Sequence, residues 1–438
     1  VMYDPYTGLL WPLRIEKADV IVKEGLPVGK TLDWVNLEFS PEITLPDDVW
    51  ADWDATAQKF LTVGEMKTKV EDAKAQASAI EAVQPELDAK RKELIDAFDT
   101  TNMTVETMTA VTNEYLAFAS EKIGMPWDAS AFIASELEGE VGWIDENLPA
   151  DDAEGRKGEL DWWIGYVIDN TDPTADLRGL AARDYTSALR KTVVYYPADI
   201  FEAVKWHDGS NLSMADIIMG MIMTFDRAKT DSPIYDQQAV PQYLPFMAQF
   251  KGFKIISTDP LTIEYYSDAY SLDAELNIPV FFPTYTFAEG SWPMIAVSNL
   301  AEANGEVAYS ADKALAKEIE QTSWVGGPTL EILAKYLDQA IAETYIPYAP
   351  TMSDYLTADE ASARYQAVKD FYAKQGHMWI GTGPYYLDKV FLTEKSAVLK
   401  RFADFPDNAD RWSSFGEPKL AMVEIDGPGQ VTIGQEAK

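Results

Sequence analysis

The chain has 438 residues, more than one hydrophobic core usually serves, because single cores stop growing at roughly 250–300 residues. Its 72 acidic and 36 basic side chains give a formal net charge of −36, which argues against nucleic acid or anionic lipid as a partner, since clusters of Lys and Arg bind both. Cysteine is absent, which excludes disulfides, thiolate metal sites and a thiol nucleophile.

The first 63 residues predict strands joined by turns. Residues 18–23 are rich in β-branched side chains and predict a short strand. Residues 25–31 look like a phosphate-binding loop, but they have one residue too few between the glycines, and Pro27 removes an amide donor, so we predict a turn. Asp47 precedes residues 49–53 and predicts a helix start there, since its carboxylate can cap the first turn.

The next hundred or so residues predict a helical insertion and an acidic linker. Between residues 64 and 124, apolar side chains recur every three or four positions, which is helical periodicity. Pro85 interrupts this pattern, so we expect two or more helices packed as a hairpin, with a partner-binding coiled coil as the alternative. Residues 136–157 are acidic and contain several glycines, which predicts an exposed loop and a domain boundary.

The remaining chain mixes strands and helices, which indicates an α/β (α+β mixed) class. Ser213 is expected to cap an apolar helix that extends through Phe225. Residues 254–266 predict a hairpin with its turn at 258–260. Further strands are predicted at residues 192–197, 397–402 and 421–425, and further helices at 311–320, 329–343 and 358–375.

Few side chains are suited to catalysis or metal binding. The only imidazoles are His207 and His377, and neither accompanies a nucleophile motif, so we predict that His207 lies in a surface turn. Paired carboxylates could occur by chance among 72 acids, and the acidic segments 226–236 and 404–410 lack the ligand order of an EF-hand. We therefore predict no enzymatic activity and no cofactor, and we assign no metal ligands, while calcium binding by the acidic segments stays open.

Two segments resemble signatures of one transport family. Residues 204–217 read VKWHDGSNLSMADI and residues 380–387 read IGTGPYYL, and a hairpin-like segment at 258–264 lies between them. These blocks, with residues 398–402 and 410–412 after them, resemble the extracellular solute-binding proteins of family 5, the peptide, nickel and oligopeptide type of ABC importers. The signature residues, taken as structural, are Lys205, Trp206, His207, Asp208, Gly209, Gly381, Gly383 and Pro384.

The resemblance implies one lobe of a type II periplasmic-binding-protein-like clamp, with a smaller extra domain and a helical insertion. It assigns residues 1–63 to the first large lobe, 64–158 to the helical insertion and acidic linker, 159–270 to the smaller domain with the KWHDG block, and 271–438 to a return to the first lobe near the hinge. Family members continue into a second large lobe, so we expect the chain to be a fragment that lacks it.

The same resemblance implies a monomeric solute-binding component that captures oligopeptides outside the cytoplasmic membrane by domain closure and delivers them to an ABC permease. We expect an extracytoplasmic protein whose signal or lipid anchor lies outside these 438 residues, since the longest apolar run, residues 217–225, is far below the roughly 20 that span a bilayer. The candidate ligand-binding residues are Trp379, Thr382 and Tyr385, beside the Gly-Pro turn. The alternatives are an oligosaccharide-binding member of the class, a hydrolase with paired carboxylates, and an acidic cell-surface scaffold.

Overall fold

A computed structural model describes residues 14–279, 284–285 and 288–408, and its fold is mixed α/β. Within these residues seven strands form one sheet. The strands are β1 (Lys17–Lys23), β2 (Val35–Ser40), β3 (Trp50–Asp54), β4 (Lys59–Thr62), β5 (Arg190–Tyr195), β6 (Phe250–Thr258) and β7 (Leu261–Ser267). Their order in the sheet is β2-β1-β5-β7-β6-β3-β4. β1 and β2 pair in parallel, and the other neighbours pair antiparallel.

This sheet joins segments that are distant in the sequence. β1 pairs with β5 over six residue pairs, from Lys17 opposite Tyr195 to Val22 opposite Arg190. The segments 1–63 and 159–270, which the resemblance assigns to different domains, therefore contribute strands to the same sheet. How the chain divides into the lobes of a clamp stays a prediction.

A helical insertion lies between β4 and β5. It consists of α1 (Val63–Ala97), α2 (Val105–Ile123), α3 (Ser130–Asn147), α4 (Ala153–Thr171) and α5 (Ala175–Ala181). Helices α1 to α4 bury a hydrophobic core of their own, to which Leu94, Leu116, Ile144 and Trp163 belong. The boundary predicted at residue 158 falls inside α4.

Residues 64–124 form two packed helices, α1 and α2, as predicted, but the break falls between Ala97 and Val105. The prediction that Pro85 makes this break is wrong. α1 begins at a capping box between Thr62 and Glu65 and runs for 35 residues through Pro85. Its first turns pack against the sheet through Val70, whereas Leu87 lies in the core of the insertion. Because both halves of α1 are held by packing, the hydrogen bond that proline removes does not end the helix.

Two other local predictions are also wrong. Most of residues 136–157, predicted as a loop, belong to α3 and α4, because Leu137 and Ile144 are seven residues apart and buried together while Glu138 between them is exposed. Residues 49–53, predicted as a helix start, lead into β3, where burial alternates as in a strand and Trp53 is buried.

The rest of the described chain packs helices against the sheet, and the main core unites sheet residues with α7, α9, α11 and α13. The helices are α6 (Ile200–Ala203), α7 (Met214–Asp226), α8 (Val240–Gln249), α9 (Trp292–Ala303), α10 (Ala311–Lys317), α11 (Thr329–Glu343), α12 (Ala349–Met352) and α13 (Ala358–Gln375). The short strands are β8 (Thr284–Tyr285), β9 (Ala288–Glu289), β10 (Val307–Ala308) and β11 (Glu320–Gln321), and a separate hairpin pairs β12 (Tyr385–Phe391) with β13 (Ser396–Arg401).

Several predicted elements are confirmed. Ser213 and Asp216 form the capping box of α7, and the hairpin predicted at residues 254–266 is formed by β6 and β7. The predicted helices at 311–320, 329–343 and 358–375 correspond to α10, α11 and α13. The strand predicted at 421–425 and the family segment 410–412 lie outside the described residues. Every helix in the described part of the chain is too short or too polar to traverse a bilayer.

Candidate functional site

His207 joins the two segments that carry the family resemblance. Its backbone N–H donates to the carbonyl of Gly381 at 2.8 Å, and the N–H of Gly381 donates to its ring Nδ1 at 3.2 Å. Since Nδ1 accepts, the ring proton lies on Nε2, which donates to the carbonyl of Gly383 at 3.0 Å. One imidazole therefore holds together two turns that are 174 residues apart in sequence.

The surroundings of His207 keep its imidazole neutral. The ring is partly buried, and Phe402 packs edge-on against it with 5.0 Å between ring centroids. Burial lowers the pKa of His207 to about 4, because the charged form loses its hydration. His207 does lie in a turn, as predicted, but it is partly buried and both of its ring nitrogens bond to backbone groups, so it is not a free surface side chain.

His377 repeats this arrangement just before the second segment. Its Nδ1 accepts from the N–H of Trp379 at 3.1 Å, and its Nε2 donates to the carbonyl of Leu387 at 2.9 Å. The residue is 2% exposed, and burial lowers its pKa. The two histidines thus position the loop between α13 and β12 from opposite ends.

Trp206 and Asp216 connect the first segment to the core. Asp216 is fully buried and accepts from the indole N–H of Trp206 at 3.2 Å and from the backbone N–H of Trp292 at 2.9 Å. Two guanidinium nitrogens of Arg364 donate to Asp216 at 3.1 and 3.2 Å. The charge on Asp216 is therefore compensated, as a buried carboxylate requires.

Asp208 and Gly209 form the turn between Trp206 and α7. Asp208 Oδ1 accepts from the backbone N–H of Ser210 at 2.9 Å, and Gly209 has a φ of +88°, which suits glycine. Asp208 Oδ2 is buried without a hydrogen-bond partner among the described residues, and burial raises the pKa of this carboxyl. The Nζ of Lys205 lies 3.6 Å from Oδ2 of Asp404, which follows β13. The turn thus presents a carboxylate oxygen with unused hydrogen-bonding capacity.

A cavity of about 390 Å³ lies beside His207, where α13 and β13 meet this turn. It combines three carboxylates, two cationic side chains and three aromatic rings besides the imidazole. Within the described residues, the side chains of Lys374 and Arg401 form no ion pair or hydrogen bond. The lining residues are His207, Asp208, Asp370, Phe371, Lys374, Gln375, Tyr386, Arg401, Phe402, Ala403 and Asp404. Such a lining can hold both ends of a zwitterion and an apolar group between them.

The residues nominated from sequence as ligand-binding do not line this cavity. Trp379 packs against the main core, Thr382 is 1% exposed and its hydroxyl has no hydrogen-bond partner, and Tyr385 is 60% exposed at the start of β12. Their role in binding stays a prediction. Sequence reasoning missed Lys374 and Arg401 because only the fold brings the end of α13 beside β13, although Lys374 lies just before the second family segment.

Within the residues that the structure describes, no group of three or more His, Asp or Glu side chains is arranged to hold a metal ion. A search against protein-family models finds no match to this chain, and a search of curated proteins finds none either.

Proposed function

We propose that the chain is the solute-binding component of an ABC importer, which captures oligopeptides outside the cytoplasmic membrane by domain closure and delivers them to a permease. The observation that carries this proposal is the cavity beside His207, because it offers groups of both charge signs around aromatic walls at the junction of the two family-like segments.

The chemistry of the cavity suits a short peptide better than a neutral solute. A peptide ammonium can approach Asp370 or Asp208, and a peptide carboxylate can be bound by the free cations Lys374 and Arg401. Tyr386 provides a flat wall for an apolar side chain. Charge-assisted hydrogen bonds contribute about 1.5–3 kcal/mol each. An ionic contact at each end would therefore make the cavity bind peptides more tightly than uncharged sugars.

Binding without chemistry is also consistent with the histidines. Both imidazoles donate to and accept from backbone groups, so neither has a free nitrogen to take a proton from a substrate. We therefore assign His207 and His377 the task of holding the loop between α13 and β12. This loop leads into Tyr386 near the start of β12, which pairs with β13. In this proposal no bond is made or broken, and selectivity comes from the cavity.

The test is isothermal titration calorimetry of the 438-residue chain, and of a longer gene product if one is encoded, with the tripeptide alanyl-phenylalanyl-alanine. We expect binding that weakens at least tenfold when the peptide is N-acetylated or C-amidated, and no heat with maltotriose. Lys374→Met should lower the affinity for the free peptide to the affinity that the unchanged protein has for the C-amidated peptide. Lys369→Met is the matched control, because Lys369 lies on the same helix but pairs with Asp338 at 2.7 Å and does not line the cavity.

Other outcomes distinguish the alternatives. Binding of maltotriose with no peptide binding would replace the peptide proposal by an oligosaccharide-binding member of the same class. Equal affinity for free and doubly capped peptide would refute the role of the charged lining. Regular self-assembly without any solute binding would favour an acidic surface scaffold.

A further inference from the structure

A second cavity of about 490 Å³ lies at the C-terminal end of α7. Its walls come from the last turn of α7 and the residues after it, from the short 3₁₀ turn Gln237–Ala239, and from α8. Among the described residues it shares no lining residue with the cavity beside His207. A ligand here would therefore contact other side chains than a peptide in that cavity.

Arg227 is a positioned cation in the wall of this cavity. Its guanidinium carbon lies 4.7 Å from the centroid of the Tyr309 ring, and its Nη2 donates to Asp236 at 3.0 Å, which together fix the plane of the group. Among the described residues Nη1 has no hydrogen-bond partner, and the side chain is 20% exposed. A guanidinium held on one edge and open on another is suited to bind an anionic oxygen.

The lining also contains two side-chain amides and three hydroxyls. The hydroxyls already donate to protein oxygens, and they belong to Thr224, Tyr243 and Ser310. Gln238 and Gln242 are four residues apart and both line the cavity, and neither side-chain amide forms a hydrogen bond within the described part of the chain. Met223 and Phe246 supply apolar surface. This is the composition of a small-molecule site, in which a few polar groups orient a ligand whose body contacts apolar side chains.

The local charges select a singly charged ligand. Asp236 already pairs with Arg227, and the nearby Lys313 is bound to Glu302 at 2.5 Å, so Arg227 is the one cation among the described residues that line the cavity. A dianion such as a phosphate monoester would be bound only by the guanidinium of Arg227, whose charge Asp236 partly neutralises. The formal net charge of −36 would repel such a dianion. A monocarboxylate needs only one such contact.

We propose that the cavity beside Arg227 is a second binding site, which takes a monocarboxylate with a compact apolar body. The carboxylate binds Arg227 Nη1 and the amide of Gln238 or Gln242, and the apolar body lies against Met223 and Phe246. The proposal does not depend on peptide binding at His207, since the two linings are disjoint.

The test titrates the 438-residue chain with 3-phenylpropionate by calorimetry, with 3-phenylpropionamide as the uncharged isostere. We expect the acid to bind at least tenfold more tightly than the amide. Arg227→Lys keeps the charge opposite Asp236 but loses the planar guanidinium, and it should lower the affinity for the acid at least fivefold. Gln242→Leu should lower this affinity about threefold. Lys374→Met, in the other cavity, should leave binding unchanged.

Thermal melting of each variant controls for folding, and Gln242→Leu tests the site without touching the Arg227 to Asp236 pair. Equal affinity for acid and amide, or no heat with either at 10 mM, would overturn the proposal. So would a loss of binding in Lys374→Met equal to that in Arg227→Lys, because the acid would then be bound beside His207.

Discussion

At the scale of single residues, buried polar groups in this protein serve to hold distant segments together. His207 and His377 each use both ring nitrogens on backbone groups, and Asp216 collects donors from Trp206, Trp292 and Arg364. A polar group buried with all its hydrogen bonds made fixes geometry, and removing one partner leaves the other unsatisfied at a cost of about 1–3 kcal/mol.

The neutral state of His207 predicts a dependence of stability on pH. The pKa of His207 is lowered from 6.5 to about 4 on folding, so between these values the unfolded chain binds the proton that the folded chain excludes. The stabilisation is complete above pH 6.5 and is lost as the pH falls towards 4, by on the order of 3 kcal/mol at most. Urea denaturation at pH 7 and pH 4.5 measures this loss.

The matched variant for this prediction is His207→Gln, which has no titratable ring. It should be less stable than the wild type at pH 7 and should lose less stability between pH 7 and 4.5. A direct check is ¹⁵N NMR of the histidine rings, in which we expect the Nε2–H tautomer of His207 at pH 6. An ordinary titration of this ring near pH 6.5 would contradict the prediction.

The pair of Asp216 and Arg364 predicts a large effect on folding. Arg364→Met should lower the free energy of unfolding by about 3–5 kcal/mol, because it leaves the fully buried Asp216 without its countercharge. The double variant Asp216→Leu with Arg364→Met should recover part of this loss, since no buried charge remains. Guanidinium denaturation measures both, and Lys369→Met on the same helix should change stability by less than about 0.5 kcal/mol. If Arg364→Met lowers the free energy of unfolding by less than about 1 kcal/mol, Arg364 is not the group that compensates the charge of Asp216.

At the scale of elements, α1 shows how tertiary packing overrides a local breaker. Pro85 is exposed near the C-terminal end of a stretch from residue 74 to residue 86 that contains no buried side chain, whereas both ends of the helix are packed. The helix therefore connects the sheet to the core of the insertion. Its middle depends on backbone hydrogen bonds, one of which the proline removes.

Replacing this proline should stabilise the helix. Pro85→Ala restores a backbone donor in an exposed helix interior, where proline is about 3 kcal/mol less favourable than alanine, so we expect the free energy of unfolding to rise by 1–3 kcal/mol. Urea denaturation followed by helical circular dichroism measures the change. Glu81→Ala, one turn earlier and also exposed, is the control and should change little. A destabilised Pro85→Ala variant would show that the chain needs the kink.

At the scale of the whole molecule, the excess of carboxylates sets the response to salt. With 72 acidic and 36 basic side chains the folded state carries strong self-repulsion, which salt screens over about 10 Å at 0.1 M. We expect the melting temperature to rise by several degrees between 0.02 and 0.5 M sodium chloride. An equal osmolality of sucrose is the control for preferential exclusion. A melting temperature that falls with salt would show that ion pairs such as Lys229 with Asp52 outweigh the repulsion.

Sequence alone determined the class and many elements of this protein. Periodicity predicted α11 and α13, turn chemistry predicted the hairpin of β6 and β7, and a capping box predicted the start of α7, because each depends on neighbours in the chain. Only the tertiary structure decided that α1 continues through Pro85, that β1 pairs with β5, and that Lys374 and Arg401 face one cavity with Asp208. These features depend on contacts between residues far apart in the chain, and local sequence patterns do not determine such contacts.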